Sequence, residues 1–413
     1  MSKPARWVDA DRLWQRHMAL ARHGARADGG VNRQALSNDE RAAWRELMGW
    51  ARARGLVAST DAAGNLFLRF HGSQPDLPPV MSGSHLDSQP TGGKFDGVYG
   101  VLAALEAVEA IIASGNAVQR SIEIVAWMNE EGSRFIPGMT GSAAFVGAME
   151  LDDMLRIRDS NGMAMADGIA KLHSEFPELP QQPLRRSVAA YVEAHIEQGP
   201  MLEREGYPIG VVTGIQGKRT FRVAVRGEEA HAGTSLRRDR KDALLAGTRI
   251  IQALASQLRD EEDILKFTIG KLDVLPNAPS VVPAEVVFSI DLRHVDSELL
   301  RAFGDRIGPI CAEHASPCSV EARELTSAMS LHFPAAMTSL IRETARELGI
   351  RSMDIYSAAG HDARFLHRVC PTGMIFVPCA RGISHSPRES ATPEDLAQGT
   401  RVLADTLLTL ANR

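Results

Sequence analysis

The chain has 413 residues, 44% of them hydrophobic, and a formal net charge of -5. That length buries a sizeable core and predicts about two domains, while the acidic balance excludes the concentrated basic surface that a nucleic-acid partner requires. No stretch is long and apolar enough to cross a membrane and none follows MSKPARWVDA as a signal peptide would, so no membrane partner is expected and the default location is cytoplasmic.

Residues 8 to 55 carry helical periodicity in ADRLWQRHMALARHG and in SNDERAAWRELMGWARARG, where Ser37 or Asn38 is placed to cap the second helix. NLFLRF follows as a strand. DLPPVMSGS then reads as a short buried strand, and VYGVLAALEAVEAII as a long buried helix. Between them, His85, Asp87 and Asp96 lie at a strand's carboxyl end and in the loop feeding a helix, where open α/β sheets build their sites. Gly92, Gly93 and Gly97 let that loop turn tightly. SIEIVAW is a further buried strand, and it runs straight into a polar loop carrying Glu130 and Glu131.

Short helices are expected in MTGSAAFVGAM and in LDDMLRIRDSNGMAMADGIAKL, with a loop at PELPQQP. SVAAYVEAHIEQGPMLEREG gives a strand ending near His195 and then a turn of helix. From about residue 218 to 325 the pattern becomes RTFRVAVRG (strand), DRKDALLAGTRIIQALASQL (helix), DILKFTIGKLDVL (strand), AEVVFSIDLRH (strand), DSELLRAFGDRIGPICAEH (helix) and PCSVEARELT (strand). That order, β-α-β-β-α-β, is the ferredoxin-like split arrangement. In AEVVFSIDLRH, Val287, Ser289, Asp291 and Arg293 alternate with Val286, Phe288, Ile290 and Leu292, so one sheet face is predicted to pack on helices and the other to be largely polar. Residues 326 to 413 return to alternating helix and strand and end in the amphipathic PEDLAQGTRVLADTLLTLAN.

The expected architecture is therefore α/β in two domains, a mixed sheet flanked by helices over 1–215 and 327–413, interrupted by the ferredoxin-like domain over 216–326. Cys311, Cys318, Cys370 and Cys379 show no CxxC spacing and read as reduced structural thiols, which leaves the thirteen histidines as the nitrogen donors for any metal.

The polar groups at strand ends, His85, Asp87, Asp96, Glu130, Glu131, His195 and His385, are about the set that two borderline cations need: a bridging carboxylate, further imidazole and carboxylate ligands, and one acid left to move a proton. Any one of them alone reads as an ordinary core histidine or solvated acid. Glu130 and Glu131 are adjacent and point apart on an extended strand end, so they cannot share one role. Asp87 is placed to orient the His85 imidazole.

GSHLDSQPTGGKFDGVYGV, WMNEEGSRF, AHIEQGP, EEAHAGT, LPNAPSVVP, DLRH, AAGHDA and FVPCARGISHSPRE together resemble the hydantoinase/carbamoylase family of amidases, relatives of aminoacylases and carboxypeptidase G in the dinuclear metallopeptidase-like superfamily. The resemblance covers nearly the whole chain. It implies a zinc-peptidase-like catalytic domain and a lid and dimerisation domain, hence a homodimer, with two divalent ions, zinc or else manganese, cobalt or nickel. His85 and His195 would hold one ion, Glu131 and His385 the other, and Asp96 would bridge them. Glu130 would be the general base and acid. Gln198 would contact a ureido group, His231 of a neighbouring subunit would meet the oxygen where negative charge develops, Arg293 would hold a substrate carboxylate, and His361 would line the pocket.

The implied reaction is hydrolysis of the carbamoyl amide of an N-carbamoyl-L-amino acid to amino acid, carbon dioxide and ammonia. Allantoate and N-carbamoyl-β-alanine are the competing ureido substrates, and a non-catalytic binding homologue is a further alternative. A serine hydrolase built on Ser235 near His231 lacks a GxSxG elbow.

Three positions depart from the family pattern. Ser280 stands where asparagine usually holds the substrate carboxylate, with Asn277 three residues earlier; SLRRDRKD follows HAGT, read as a solvated helix start; and Ser386 replaces an asparagine after His385.

Overall fold

Four apolar runs, Thr372–Val377, Ala190–Ile196, Val80–His85 and Ile122–Trp127, lie side by side in that order as parallel strands in the computed structural model, and every residue in them is buried. Apolar residues on both faces are what a parallel sheet covered by helices demands. Antiparallel strands extend this centre on both sides, Leu66–Phe70 and Val57–Asp61 beyond Ile122–Trp127, and Ile209–Ile215 beyond Thr372–Val377. The sheet is thus mixed, as the sequence reading expected, although Val57–Asp61 was not among its strands.

The structure describes residues 3–260, 262 and 264–413. By their contacts the residues fall into two compact units, Met1–Thr213 with Phe333–Arg413, and Gly214–His332.

In the larger unit the helix Val98–Ala113 packs on the strands Val80–His85 and Ala190–Ile196 and against the last helix, Pro393–Ala411. Its small apolar residues allow close approach, but Glu106 and Glu109 are buried among them. Arg12 and Arg16 of the helix Ala10–Leu20 meet these two acids, Arg12 Nη2 at 2.7 Å from Glu106 and Arg16 Nη2 at 2.7 Å from Glu109. Ser37, not Asn38, caps the helix Asn38–Arg52 by accepting from the Glu40 amide at 3.2 Å.

In the smaller unit Gly217–Arg226, Glu285–His294 and Ser319–Ala328 form an antiparallel sheet with Lys266–Thr268 and Leu272–Leu275. Counting the last two as one edge, the spatial order is first, third and second strands with the fourth beside the first, which is ferredoxin-like. The reading of DILKFTIGKLDVL as one strand is corrected: pairing breaks over residues 269–271, at Gly270, and Asp263 lies outside the described residues. Val286, Phe288, Ile290 and Leu292 join the core under the helices Ala243–Gln257 and Ser297–His314, while Ser289, Asp291 and Arg293 stay half-exposed on the other face.

Candidate metal centre

Because the four central strands are adjacent and parallel, their carboxyl ends stand in a row, and the polar residues at or just past those ends fall in one place. His85 closes Val80–His85, Glu130 and Glu131 follow Ile122–Trp127, His195 ends Ala190–Ile196, and His385 follows Thr372–Val377. Two groups of ligand-competent atoms result, His85, Asp96 and His195, and Asp96, Glu131 and His385, which share Asp96.

The hydrogen bonds fix the imidazole tautomers. His85 Nδ1 lies 2.9 Å from the Asp87 carbonyl and His195 Nδ1 2.9 Å from the Ile196 carbonyl, so each Nδ1 carries the hydrogen and donates it. The Nε2 atoms face acids: His195 Nε2, which also accepts the Gly97 amide at 3.1 Å, is 3.2 Å from Asp96 Oδ1, and His85 Nε2 is 3.7 Å from the same oxygen and 3.6 Å from Glu130 Oε2. His385 Nε2 is 3.2 Å from Asp96 Oδ2 and 3.3 Å from Glu131 Oε2. Around the buried His85, Asp96 and His195, acceptors aimed at acceptors repel unless a proton or a cation lies between them, while the His385 side chain is 50% exposed; a divalent ion with nitrogen and oxygen ligands fits this donor set. With only protons present, Asp96 pushes His195 and His385 up to about 9.

The neighbouring glutamates also shift upward, which for an acid favours the neutral form. Burial, then Asp96, pushes the Glu131 carboxyl up to about 8, and burial followed by repulsion from Asp362, Glu131, Asp87 and Asp96 holds Glu130 well above the usual carboxylate range. Glu130 differs from its neighbour in having no hydrogen bond to its carboxylate among the described residues, whereas Glu131 accepts from Gln89 Nε2 at 2.8 Å and from the Gln89 amide at 3.2 Å.

Asp87 is tied to His85, but chiefly through its backbone. Its carboxylate is 3.6 Å from His85 Nδ1 and accepts the amides of Glu130 at 3.1 Å and Glu131 at 3.2 Å, so it also holds the turn that sends those two acids apart. Gly97 is required where it stands: its φ is +65°, and a Cβ there would lie 2.3 Å from the His85 ring. Asn129, Gln198 and His385 adopt the same left-handed region at φ 56°, 57° and 53° without being glycine, a local strain concentrated on the loops that carry the cluster.

Gln198 reaches this cluster directly, its Nε2 donating to Asp96 Oδ2 at 2.9 Å while its Oε1 is buried without a partner. His361 is buried with its ring centroid 4.5 Å from that of His195, and burial holds it neutral. Glu193, His195 and His361 form a third group of potential ligands, yet Glu193 already accepts from Ser84, Tyr191 and the Ala363 amide, which makes it an anchor beneath the site.

His231, Ser280 and Arg293 belong to the smaller unit. His231 pairs with Val281, and the Ser280 carbonyl accepts the Ala232 amide at 3.0 Å, so His231 and Ser280 are neighbours. His231 Nδ1 accepts the amides of Gly233 at 3.0 Å and Thr234 at 3.2 Å, leaving a hydrogen on Nε2 as an outward donor. Ser235 donates to the His231 carbonyl and not to its ring, which removes the serine-nucleophile reading. The RRDRKD run does not start the helix, which begins at Ala243 under an Asp242 cap; instead Arg240 bonds back to the Ala232 and Ser235 carbonyls and shapes the His231 loop. Arg293 forks onto Asp291 at 2.8 and 3.2 Å.

Gln89, Glu193, Asp362, Ser384 and Glu389 are the groups around the cluster that the sequence reading passed over. Gln89 lay inside SHLDSQPTGG, and Ser384 and Glu389 inside GISHSPRES, within reach of residues already singled out.

The model of peptidase family M20/M25/M40 matches residues 81–409. An N-carbamoyl-L-amino-acid amidohydrolase of Rhizobium meliloti is 37% identical over 410 residues, 98% of this chain and 97% of that one. An allantoate amidohydrolase of Escherichia coli (strain K12) is 36% identical over 398 residues, covering 95% and 96%. A solved hydantoinase/carbamoylase family amidase from Burkholderia multivorans shares 38% identity with a TM-score of 0.89 over 98% of each chain. A match that begins one residue into the strand leading to His85 and runs through His385, together with relatives similar over almost the full length, means that the chain belongs to peptidase family M20/M25/M40.

Proposed function

We propose that this protein is a metal-dependent amidohydrolase that splits the carbamoyl amide of an N-carbamoyl-L-amino acid into the amino acid, carbon dioxide and ammonia. The observation that carries this reading is Glu130: a buried carboxyl with no hydrogen bond, standing beside two ligand groups that share Asp96. His85 and His195 would hold one cation, Glu131 and His385 a second, with Asp96 common to both. Such cations supply Lewis acidity toward a carbonyl oxygen and acidify water. Glu130 takes the proton of the attacking water and delivers it to the leaving nitrogen, a double task suited to a carboxyl whose pKa is raised.

Substrate recognition is assigned to the remaining groups. Arg293, whose Nε and Nη2 already hold Asp291, offers its cationic guanidinium to a substrate carboxylate, and His231 Nε2 offers a neutral donor to the oxygen that gains charge. These two are far apart in the smaller unit: Arg293 lies eight residues along the strand from Glu285, roughly 26 Å at the usual rise, while His231 pairs next to the residues entering that strand at its other end. One small substrate cannot touch both from a single copy, which supports a homodimer in which His231 and Ser280 serve the neighbouring subunit's site.

Relatives named for N-carbamoyl-L-amino acids and for allantoate have similar identities, 37% and 36%, and both compounds pair a ureido group with a carboxylate. The test is ammonia release by the metal-loaded protein from a panel of N-carbamoyl-L-amino acids, N-carbamoyl-β-alanine and allantoate. Turnover of the first class supports the proposal; turnover confined to another member reassigns the substrate, and silence across the panel with metal bound sinks it.

A further inference from the structure

Glu389 is 5% exposed and, among the described residues, no basic side chain pairs with it. A buried carboxylate without a cation is costly, so what it does with its oxygens matters. Oε1 accepts the amide of Phe95 at 2.8 Å and that of Asp96 at 3.1 Å, and Oε2 lies 2.9 Å from Ser384 Oγ. Ser384 Oγ is in turn 3.0 Å from Asp96 Oδ2 and accepts from Gln198 Nε2 at 3.2 Å. Asp96 is therefore held at its backbone by Glu389 directly, while its Oδ2 shares the single hydroxyl hydrogen of Ser384 with Glu389 Oε2. The loop also packs onto this acid: a Cβ at Gly93 would fall 2.1 Å from the Glu389 carboxyl.

We propose that Glu389, acting through Ser384 and the amides of Phe95 and Asp96, is a positioning residue that aims the Asp96 carboxylate and so sets the affinity of both ligand groups at once. The proposal rests on the two-cation reading above. It separates Glu389 from Gln89, whose bonds reach only Glu131 and hence only one of the two groups.

The experiment is calorimetric titration of the chelator-stripped full-length chain with Zn²⁺, alongside the melting temperature of each metal-free protein. Wild type is expected to take up two equivalents. Glu389→Ala should weaken both by roughly 10–100-fold, as loss of a ligand's outer support commonly does, and Ser384→Ala should weaken both by less. Gln89→Ala should weaken one equivalent alone. Glu389→Gln, whose carbonyl can still accept the two amides and whose amide can donate to Ser384, should recover most of the affinity. That recovery is not expected if Glu389 acts only by its charge.

Two equivalents left within about twofold of wild type by Glu389→Ala, or only one of them weakened, would overturn the proposal while leaving the two-cation reading intact. A wild-type chain that binds a single equivalent would overturn that reading and this proposal with it. Should Glu389→Ala fail to fold, which its metal-free melt reveals, Ser384→Ala carries the same two-equivalent prediction.

Discussion

In the larger unit the central strands are buried on both faces, so its polar chemistry is pressed to the strand ends, where His85, Asp96, Glu130, Glu131, His195 and His385 crowd together. In the smaller unit the strand Glu285–His294 alternates buried and half-exposed residues over most of its length, and the candidate residues are spread over the half-exposed face and the loops, with Arg293 held by Asp291 and His231 exposed. The contrast teaches that burial decides the kind of work available. Desolvated acids and imidazoles acquire displaced proton affinities and call for cations, which suits bond breaking; donors within solvent reach on a sheet and its loops suit recognition.

The largest effect expected from this division is at Glu130. Glu130→Gln keeps the side chain's size and removes its proton-carrying role, so kcat should fall by about 10²–10⁴-fold. Metal uptake should persist, because Glu130 belongs to neither ligand group. Loss of metal together with activity would instead make Glu130 a ligand and blur the line between the groups that bind and the group that moves a proton.

Arg293→Ala tests the recognition side. A charge-assisted hydrogen bond contributes about 1.5–3 kcal/mol, so KM for a carboxylate-bearing substrate should rise by about 10–100-fold with metal binding unaltered. A drop confined to kcat would show that the smaller unit takes part in the chemical step and that the contrast is drawn in the wrong place.

The two units also differ in how much of them was legible in the sequence. A strand buried on both faces is a mostly apolar run, broken here only by buried residues such as Ser82, Ser84, Glu123 and Glu193, so its end shows as the polar cluster that follows it: HLD after VMSGS, and NEE after IEIVAWM. Once four such strands are parallel and adjacent, those clusters have to meet. What a run cannot show is which loop folds over which, and so Ser384, Glu389 and Gln89 looked like ordinary loop residues although they hold Asp96 and Glu131. The alternation in VVFSIDLR gave the polar face of the smaller unit for the same period-two reason. The break at Gly270 and the strand Val57–Asp61, sequence VASTD, went unseen because short strands with little apolar content carry no periodic signal.

Stability should follow the same line, with the larger unit sensitive to the loss of a single charge. Glu106 is fully buried on the helix Val98–Ala113 and depends on Arg12, whose Nη2 and Nε sit 2.7 and 2.8 Å from its oxygens. Arg12→Ala removes its nearest cation and leaves it the Asp9 amide at 2.8 Å and Arg16 at 3.9 Å. Because the arginine is partly exposed, the expected cost is about 2–3 kcal/mol, below that of a wholly buried pair, or roughly 3–5 °C in Tm for a unit of this size. Arg226→Ala, on the open face of the smaller unit with its partners Glu285 and Glu321 in solvent reach, should cost about 0–1 kcal/mol.

The last effect is a pH dependence, and it belongs to the larger unit again. His17 lies on the helix Ala10–Leu20, fully buried against Phe95 and Tyr99 at ring separations of 5.6 and 6.1 Å. Its Nδ1 donates to the Leu13 carbonyl at 2.8 Å and its Nε2 is buried with no partner, so the ring has nothing to share a second proton with. Burial pulls it down to about 4 from an ordinary 6.5. Between those two values the unfolded chain binds the proton and the folded chain does not, so this contribution to stability is intact above pH 6.5 and is lost as the pH falls toward 4. From pH 7 to pH 5 the loss should be about 2 kcal/mol. Denaturant titration of the metal-free protein at both values, wild type beside His17→Leu, checks it: the leucine variant should lack that share of the acid sensitivity, and an identical loss in both proteins would mean that other groups govern how acid opens the larger unit.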